Sequence, residues 1–97
     1  MIINFKHKLT KNLFEDKETR ETLRLPPSLR RAARRKILYL HDAAELNDLR
    51  APPGNRLEQL KGDLRGYFSI RVNDQWRLIF RWHEGNVTDL ELIDYHS

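Results

Sequence analysis

The sequence has 97 residues, enough for one small domain with a single hydrophobic core, so we expect one domain over residues 1–97. Hydrophobic residues make up 39% of the chain and charged residues 33%, which is typical of a soluble globular protein. The chain has no apolar run long enough for a membrane span, and the absence of cysteine excludes a disulfide framework and a thiolate site. The first residues lack the apolar segment of a signal peptide, and we therefore expect a cytoplasmic protein.

The charge is positive overall and unevenly distributed. The formal net charge is +4 and the pI is about 9.7, which favours an acidic partner. Residues 1–40 carry 11 Lys or Arg and 4 Asp or Glu, whereas residues 41–97 carry 7 and 10. The histidines show no metal-ligand spacing, so we expect no structural zinc. They are His7, His41, His83 and His96. We also expect no other metal and no cofactor.

The first half of the chain predicts an edge strand followed by helices. Residues 1–5 are apolar and β-prone, residues 7–15 have the spacing of a short amphipathic helix, and residues 16–25 predict a loop or a frayed helix. The main helix is predicted from about Ser28 to Ala44, after a proline pair that suits a first helical turn. Its apolar face consists of Leu29, Ala33, Ile37, Leu40 and Ala44.

The opposite face of this helix carries a run of positive charge, formed by Arg30, Arg31, Arg34, Arg35 and Lys36. Two interpretations are open: the run is either a solvated helix face or a docking surface for RNA or an acidic protein partner. Beyond the helix, the sequence predicts a short helical turn at residues 43–49, a turn at 52–55 and a tight turn at 61–63 before the sheet begins.

Residues 67–96 alternate apolar and polar side chains in three runs, which is the period of half-buried β-strands. Because a slip of one residue would turn every side chain to the other face, the alternation fixes how the strands pair. A three-residue loop at residues 73–75 pairs Ile70 with Leu78 and keeps one face of the sheet apolar.

The same reasoning predicts a three-residue loop in the second hairpin, at residues 84–86. That loop pairs Leu78 with Leu92 and Arg81 with Asp89. The expected product is a three-stranded antiparallel meander with one apolar face and one polar face.

The predicted register places two arginines opposite each other on the polar face. A direct Arg71–Arg77 pair destabilises a sheet unless an anion lies between the guanidinium groups, each of which can hold a phosphate through two hydrogen bonds. The alternative is that both side chains splay into solvent at little cost. Tyr95 and Gln75 are predicted to face each other at the same end of this face.

Several short motifs occur in this region in one order. They are Leu-Lys-Gly-Asp at residues 60–63, Gly-Tyr at 66–67, Ser-Ile-Arg-Val at 69–72, Gln-Trp-Arg at 75–77 and Asp-Tyr-His at 94–96. With this order and spacing, the segment from residue 53 to residue 96 resembles the HigB-type toxins of the RelE superfamily, the toxin halves of bacterial toxin–antitoxin pairs. The likeness covers nearly half of the chain.

The resemblance implies an α+β fold in which two N-terminal helices pack on one face of a small, mainly antiparallel sheet. It also implies a ribosome-dependent endoribonuclease that needs no metal, cleaves mRNA through attack of the 2′-hydroxyl on the adjacent phosphate and thereby inhibits translation. The implied partners are the ribosome, mRNA and a cognate HigA-type antitoxin, which carries a helix-turn-helix module and binds DNA as a complex with the toxin.

The resemblance also assigns roles to individual residues. Arg77 matches an arginine position of the family and would clamp the scissile phosphate, with Lys61 of the Leu-Lys-Gly motif assisting. Tyr95 and His96 match a terminal Tyr-His pair and are candidates for proton transfer or base stacking. Asp94 belongs to the same ending and is either part of the site or structural. The RNA path would be lined by Arg65, Arg71, Asn73 and Gln75.

Two positions depart from the family pattern. Some members carry a histidine three residues before the lysine, where this chain has Glu58, and Gln75 stands at a family asparagine position. A carboxylate at position 58 can still accept a proton but repels an RNA backbone, which implies weak cleavage. The alternative function is a non-catalytic module that binds nucleic acid or protein through the arginine-rich helix of residues 28–44.

Overall fold

The computed structural model describes residues 1–95, so that His96 lies outside the described residues. The α-helices are α1 (Lys8–Phe14), α2 (Arg20–Leu23) and α3 (Pro27–Asp42). The strands are β1 (Glu58–Gln59), β2 (Phe68–Arg71), β3 (Trp76–His83) and β4 (Asn86–Asp94). Short 3₁₀ turns cover Leu46–Arg50, Pro53–Asn55 and Gly62–Leu64.

Helices α1 and α3 pack together and against the sheet at β4. Helix α3 starts with a proline, whose missing N–H is tolerated in a first turn. On α1, Thr10 is 1% exposed, and its hydroxyl oxygen accepts a hydrogen bond from the backbone N–H of Leu92 in β4 at 3.2 Å. The core between helices and sheet includes Leu29, Ala33, Ile37 and Leu40 from α3 and Ile70, Leu78, Phe80 and Leu90 from the sheet.

The sheet has the strand order β1-β2-β3-β4, and all neighbouring pairs are antiparallel. The predicted register of β2 and β3 is confirmed, because Ile70 faces Leu78 and Arg71 faces Arg77 across the three-residue loop. Strand β1 was not predicted, because a strand of two residues is too short to show an alternation of apolar and polar side chains. The predicted α+β fold, with helices packed on one face of a mainly antiparallel sheet, is confirmed.

The N-terminal segment lies along the free edge of β4. Isolated parallel bridges join Ile2 to Val87 and Phe5 to Leu90. The predicted edge strand is therefore present only as two separate bridges, and it runs parallel to its neighbour.

The hairpin between β3 and β4 differs from the prediction. Its loop has two residues, Glu84 and Gly85, with positive φ angles of 49° and 81°, and two such residues match the twist of the flanking strands. Arg81 consequently faces Thr88 rather than Asp89. Asp89, with a φ of 51°, lies at a β-bulge in which β4 has one more residue than β3.

The bulge is held by the N-terminal segment. The side-chain amide of Asn4 donates to Asp89 Oδ1 at 2.9 Å, and the backbone N–H of Asp89 donates to Asn4 Oδ1 at 3.1 Å. Beyond the bulge, Leu78 faces Leu92 as predicted. The shorter loop shifts the register by one residue and the bulge shifts it back, so the apolar side chains still reach the core.

The second face of the sheet is more buried than the sequence predicted. Ser69 is 0%, Ile79 2% and Arg77 6% exposed. The Pro53–Asn55 turn lies against β2, and the backbone carbonyl of Arg56 contacts the Arg77 side chain. Of the two alternatives, the one in which both arginines splay into solvent is therefore wrong for Arg77.

The hydrogen bond between Leu92 and Thr10 predicts a loss of stability in Thr10→Val. The substitution keeps the side-chain shape but removes the acceptor of a buried N–H, so we expect the free energy of unfolding to fall by about 1–3 kcal/mol. Urea denaturation followed by circular dichroism measures this change. Thr88→Val in β4 is the matched control, with an expected change below about 0.5 kcal/mol. Equal losses in the two variants would contradict the role of this bond.

Candidate functional site

Four of the predicted site residues meet at one surface cavity beside the β2–β3 hairpin loop. Its volume is about 200 Å³. The lining residues are Arg56, Arg71, Asn73, Asp74, Arg77 and Tyr95. Three guanidinium groups and a single carboxylate give the lining a positive balance, which favours an anion such as a phosphate.

Arg77 forms the inner part of this cavity. Its Nε donates to Ser69 Oγ at 2.9 Å, and one terminal nitrogen donates to the backbone carbonyl of Arg56 at 2.6 Å. Glu58 Oε1 lies 3.9 Å from the other terminal nitrogen. The strands and the turn thus fix the position of the guanidinium, so this charge is preorganised for binding an anion. Glu58 is half-exposed and offsets this charge only partly.

Arg71 lies beside Arg77 and nearer to solvent. Its guanidinium pairs with the carboxylate of Asp74 in the hairpin loop, whose side chain is 96% exposed. An ion pair in contact with water contributes little stability, so an incoming phosphate can replace Asp74 as the partner of Arg71.

Asn73 organises the hairpin loop. Its Oδ1 accepts hydrogen bonds from the backbone N–H groups of Gln75 at 2.9 Å and Trp76 at 2.8 Å. An asparagine carbonyl that caps the following N–H groups is a common turn device. The oxygen of this predicted RNA contact is therefore occupied in shaping the loop that carries Arg71 to the cavity.

The far side of the cavity is formed by the end of β4. The backbone N–H of Tyr95 donates to the Gln75 carbonyl at 2.7 Å, so these residues face each other as predicted. The Tyr95 ring centroid lies 5.3 Å from the Arg77 guanidinium carbon and the residue is 49% exposed, which leaves room for a base to stack. Asp94 accepts a hydrogen bond from the Gln75 side chain at 2.9 Å and is exposed.

The structure does not bring Lys61 and Arg65 into this cavity. Both line a separate depression of about 270 Å³ with Gln59, Leu60 and Gly62. Lys61 directly precedes the Gly62–Leu64 turn and does not line the Arg77 cavity. The prediction that Lys61 assists the phosphate clamp has no geometric support at this cavity.

Sequence reasoning missed one basic residue that lines the cavity and the role of a second that bonds to the neighbouring turn. Arg56 follows the Pro53–Asn55 turn in a left-handed conformation with a φ of 47° and lines the cavity. Lys36 on α3 donates a hydrogen bond to Asn55 Oδ1. Burial, followed by the charges of Arg35 and Arg71, lowers the pKa of the Lys36 ammonium group. Arg56 was detectable as a basic residue directly after a Pro-Gly-Asn turn, whereas Lys36 belonged to a charge run with no sign of its partner.

Within residues 1–95, no three His, Cys, Asp or Glu side chains are grouped as metal ligands would be. Across the same residues, no helix combines the length and the apolar character needed to cross a membrane.

Comparison with known proteins identifies relatives over most of the chain. A family model described as HigB-like toxin, a RelE-like toxin of the type II toxin–antitoxin system HigB, matches residues 3–96. Toxin HigB-1 of Vibrio cholerae serotype O1 is 47% identical over 85 residues, which cover 88% of this chain and 87% of that protein. Endoribonuclease HigB of Proteus vulgaris is 34% identical over 96 residues, covering 99% of this chain and 100% of the relative.

A solved structure shares the fold at low sequence identity. In the YoeB–YefM complex from Staphylococcus aureus, one chain matches with a TM-score of 0.59 and 15% identity, covering 100% of this chain and 99% of that one. The family model and the curated relatives confirm the resemblance drawn from the sequence motifs. The chain belongs to the HigB-like family of RelE-like toxins from type II toxin–antitoxin systems.

Proposed function

We propose that this protein is an endoribonuclease that cleaves mRNA on the ribosome, inhibits translation in the cytoplasm and is neutralised by a cognate HigA-type antitoxin. One observation carries the proposal: a buried, fully oriented Arg77 guanidinium lies at the base of an arginine-lined cavity on the sheet face away from the helices. The relative named Endoribonuclease HigB and the toxin family support the activity. The antitoxin is expected to carry a helix-turn-helix module and to bind DNA together with the toxin.

The reaction we propose requires no metal. The 2′-hydroxyl oxygen attacks the adjacent phosphorus, the bond to the 5′-oxygen of the next nucleotide breaks, and a 2′,3′-cyclic phosphate and a 5′-hydroxyl result. Negative charge grows on the non-bridging oxygens during this step, and a guanidinium that is already oriented stabilises it without reorganisation. Arg77 fits this role, and Arg71 at the rim fits a second contact to the same phosphate.

We assign proton transfer to the residues that follow Asp94 in the sequence. Tyr95 lines the cavity and can stack on a base or pass a proton. His96 lies outside the described residues, and histidine is a residue type that can exchange a proton near neutral pH. Asp94 is oriented by Gln75 and supports this end of the site. Lys61 and Arg65, in their own depression, fit contacts to the RNA backbone on either side of the cut.

A second function, a binding module that uses α3, is favoured by one observation. Among residues 1–95, no ion pair involves the four arginines of this helix, and the Nε atoms of two of them are buried without a hydrogen-bond partner. The four are Arg30, Arg31, Arg34 and Arg35. This alternative predicts that charge reversal on α3 abolishes function while substitutions in the cavity have no effect.

Arg71→Gln tests the cavity as the RNA site. Loss of one charge-assisted hydrogen bond to the phosphate should lower the cleavage rate by about 10- to 100-fold. The measurement is mRNA cleavage in a purified translation system, run with and without ribosomes to test the ribosome requirement. Arg81→Gln removes an equally charged, half-exposed side chain from β3 and is the matched control. Equal rates for wild type and Arg71→Gln would refute the proposed role.

Arg77→Lys tests the orientation of the inner charge. Lysine keeps the positive charge but cannot form both the Ser69 and the Arg56 bonds, so we expect the turnover rate to fall by about 100- to 1000-fold. Lysine is preferred to alanine because Arg77 is only 6% exposed, and its removal would leave a cavity and unpaired groups. Thermal unfolding of the variant serves as the folding control. Full activity of a folded Arg77→Lys protein would exclude the clamp.

The proposed attack by the 2′-hydroxyl can be tested by removing this hydroxyl from the mRNA substrate. An mRNA with a single 2′-deoxynucleotide on the 5′ side of the cut should resist cleavage at that position, because the nucleophile is missing. The same change one nucleotide further away should leave cleavage intact. Mapping of the fragment ends by primer extension reads both results, and cleavage at the deoxy position would show that another nucleophile, such as water, is used.

A further inference from the structure

The Arg77 guanidinium depends on a turn that lies outside the sheet. Its shortest hydrogen bond runs to the backbone carbonyl of Arg56 at 2.6 Å. That carbonyl follows the Pro53–Asn55 turn, and Arg56 itself has a left-handed backbone conformation with a φ of 47°. A non-glycine residue adopts this conformation at a cost in energy, so surrounding contacts must hold it there.

Asn55 supplies those contacts. Its side chain is 0% exposed, and its amide nitrogen donates to the backbone carbonyls of Leu49 at 3.2 Å and Ala51 at 3.3 Å. Its amide oxygen accepts a hydrogen bond from the ammonium group of Lys36 on α3. A buried carboxamide with both ends bonded fixes the turn, because moving it away would leave its buried nitrogen and oxygen without hydrogen-bond partners.

Lys36 connects this turn to the helix layer and lies within the electrostatic reach of the cavity. Burial lowers the pKa of its ammonium group first, and the charges of Arg35 and Arg71 lower it further. The Lys36 side chain is thus bonded to Asn55 on one side and repelled by a cavity arginine on the other. A phosphate in the cavity would relieve that repulsion.

We propose that Asn55, held by Lys36, is a positioning residue of the anion site. Through the turn it fixes the Arg56 carbonyl that orients the Arg77 guanidinium, and it fixes the backbone from which the Arg56 side chain enters the cavity. The proposal rests on the proposed function only in that the cavity binds a phosphate group. Neither Asn55 nor Lys36 needs to touch the ligand.

Lys36→Met is the primary test, because it keeps the length of the side chain on a partly exposed helix position and removes the bond to Asn55, together with one positive charge and a cation–π contact to Tyr39. Arg35→Met is the matched control, since it removes one positive charge from the neighbouring, exposed position. Nuclear magnetic resonance of the ¹⁵N-labelled protein follows the Arg77 Nε–H, and titration with inorganic phosphate gives the dissociation constant. Asn55→Asp, which keeps a partner for Lys36 but loses both donated bonds, provides a second variant.

Lys36→Met should speed hydrogen exchange at the Arg77 Nε–H and weaken phosphate binding roughly three- to tenfold, the effect of one hydrogen bond. Arg35→Met should leave the Arg77 exchange rate unchanged and alter phosphate affinity less than about twofold. Unchanged exchange at Arg77 in both Lys36→Met and Asn55→Asp would overturn the proposal. Identical effects of Lys36→Met and Arg35→Met would do the same, because they would show that only net charge matters.

Cleavage assays separate this proposal from the proposed function. If wild type binds phosphate and Lys36→Met disturbs Arg77, but wild type does not cleave mRNA, the positioning role stands and the endoribonuclease assignment fails. If wild type cleaves mRNA, a misplaced guanidinium should lower kcat more than it raises KM, since orientation matters most in the transition state. An effect on KM alone, with kcat unchanged, would count against positioning.

Discussion

The hydrogen-bonded burial of the Arg77 guanidinium is the interaction on which the site depends. A charge with so little exposure is stable only when its N–H groups have partners, and these come from three separate parts of the chain. Ser69 reaches it across the β2–β3 pair, the Arg56 carbonyl from the preceding turn, and Glu58 from β1. The sheet register, the turn and the edge strand therefore all contribute to holding the Arg77 guanidinium in a fixed orientation.

The electrostatics of the cavity follow from the same arrangement. Arg71 is directly opposite Arg77, and the carboxylates that face these two arginines are exposed or distant. The fold thus contains a like-charge pair that is not fully neutralised, and this pair favours the binding of an anion. The cost in stability is small because the main hydrophobic core lies on the other face of the sheet. A preference for anions agrees with the name of one relative, Endoribonuclease HigB, since RNA carries a phosphate at every nucleotide.

Much of this could be predicted because strand periodicity is a strong local signal. The alternation of apolar and polar side chains was enough to predict that Arg71 faces Arg77 and that Tyr95 faces Gln75. The same alternation gave the wrong loop length at the second hairpin, because the bulge at Asp89 is held by Asn4, a partner 85 residues away in sequence. Arg56 was missed although it directly follows a Pro-Gly-Asn turn, because its place in the cavity depends on the geometry of that turn, which leaves no period in the sequence. Lys61 was assigned from a motif, and a motif does not say into which depression a turn directs a side chain.

The parallel bridges between the first residues and β4 have a consequence for synthesis. Ile2 and Phe5 find their partners at Val87 and Leu90, so the two ends of the fold close on each other. A nascent chain that has reached β3 has neither the strand that completes the core nor the Tyr95 side of the cavity. The anion site can therefore assemble only after most of residues 1–95 have been synthesised.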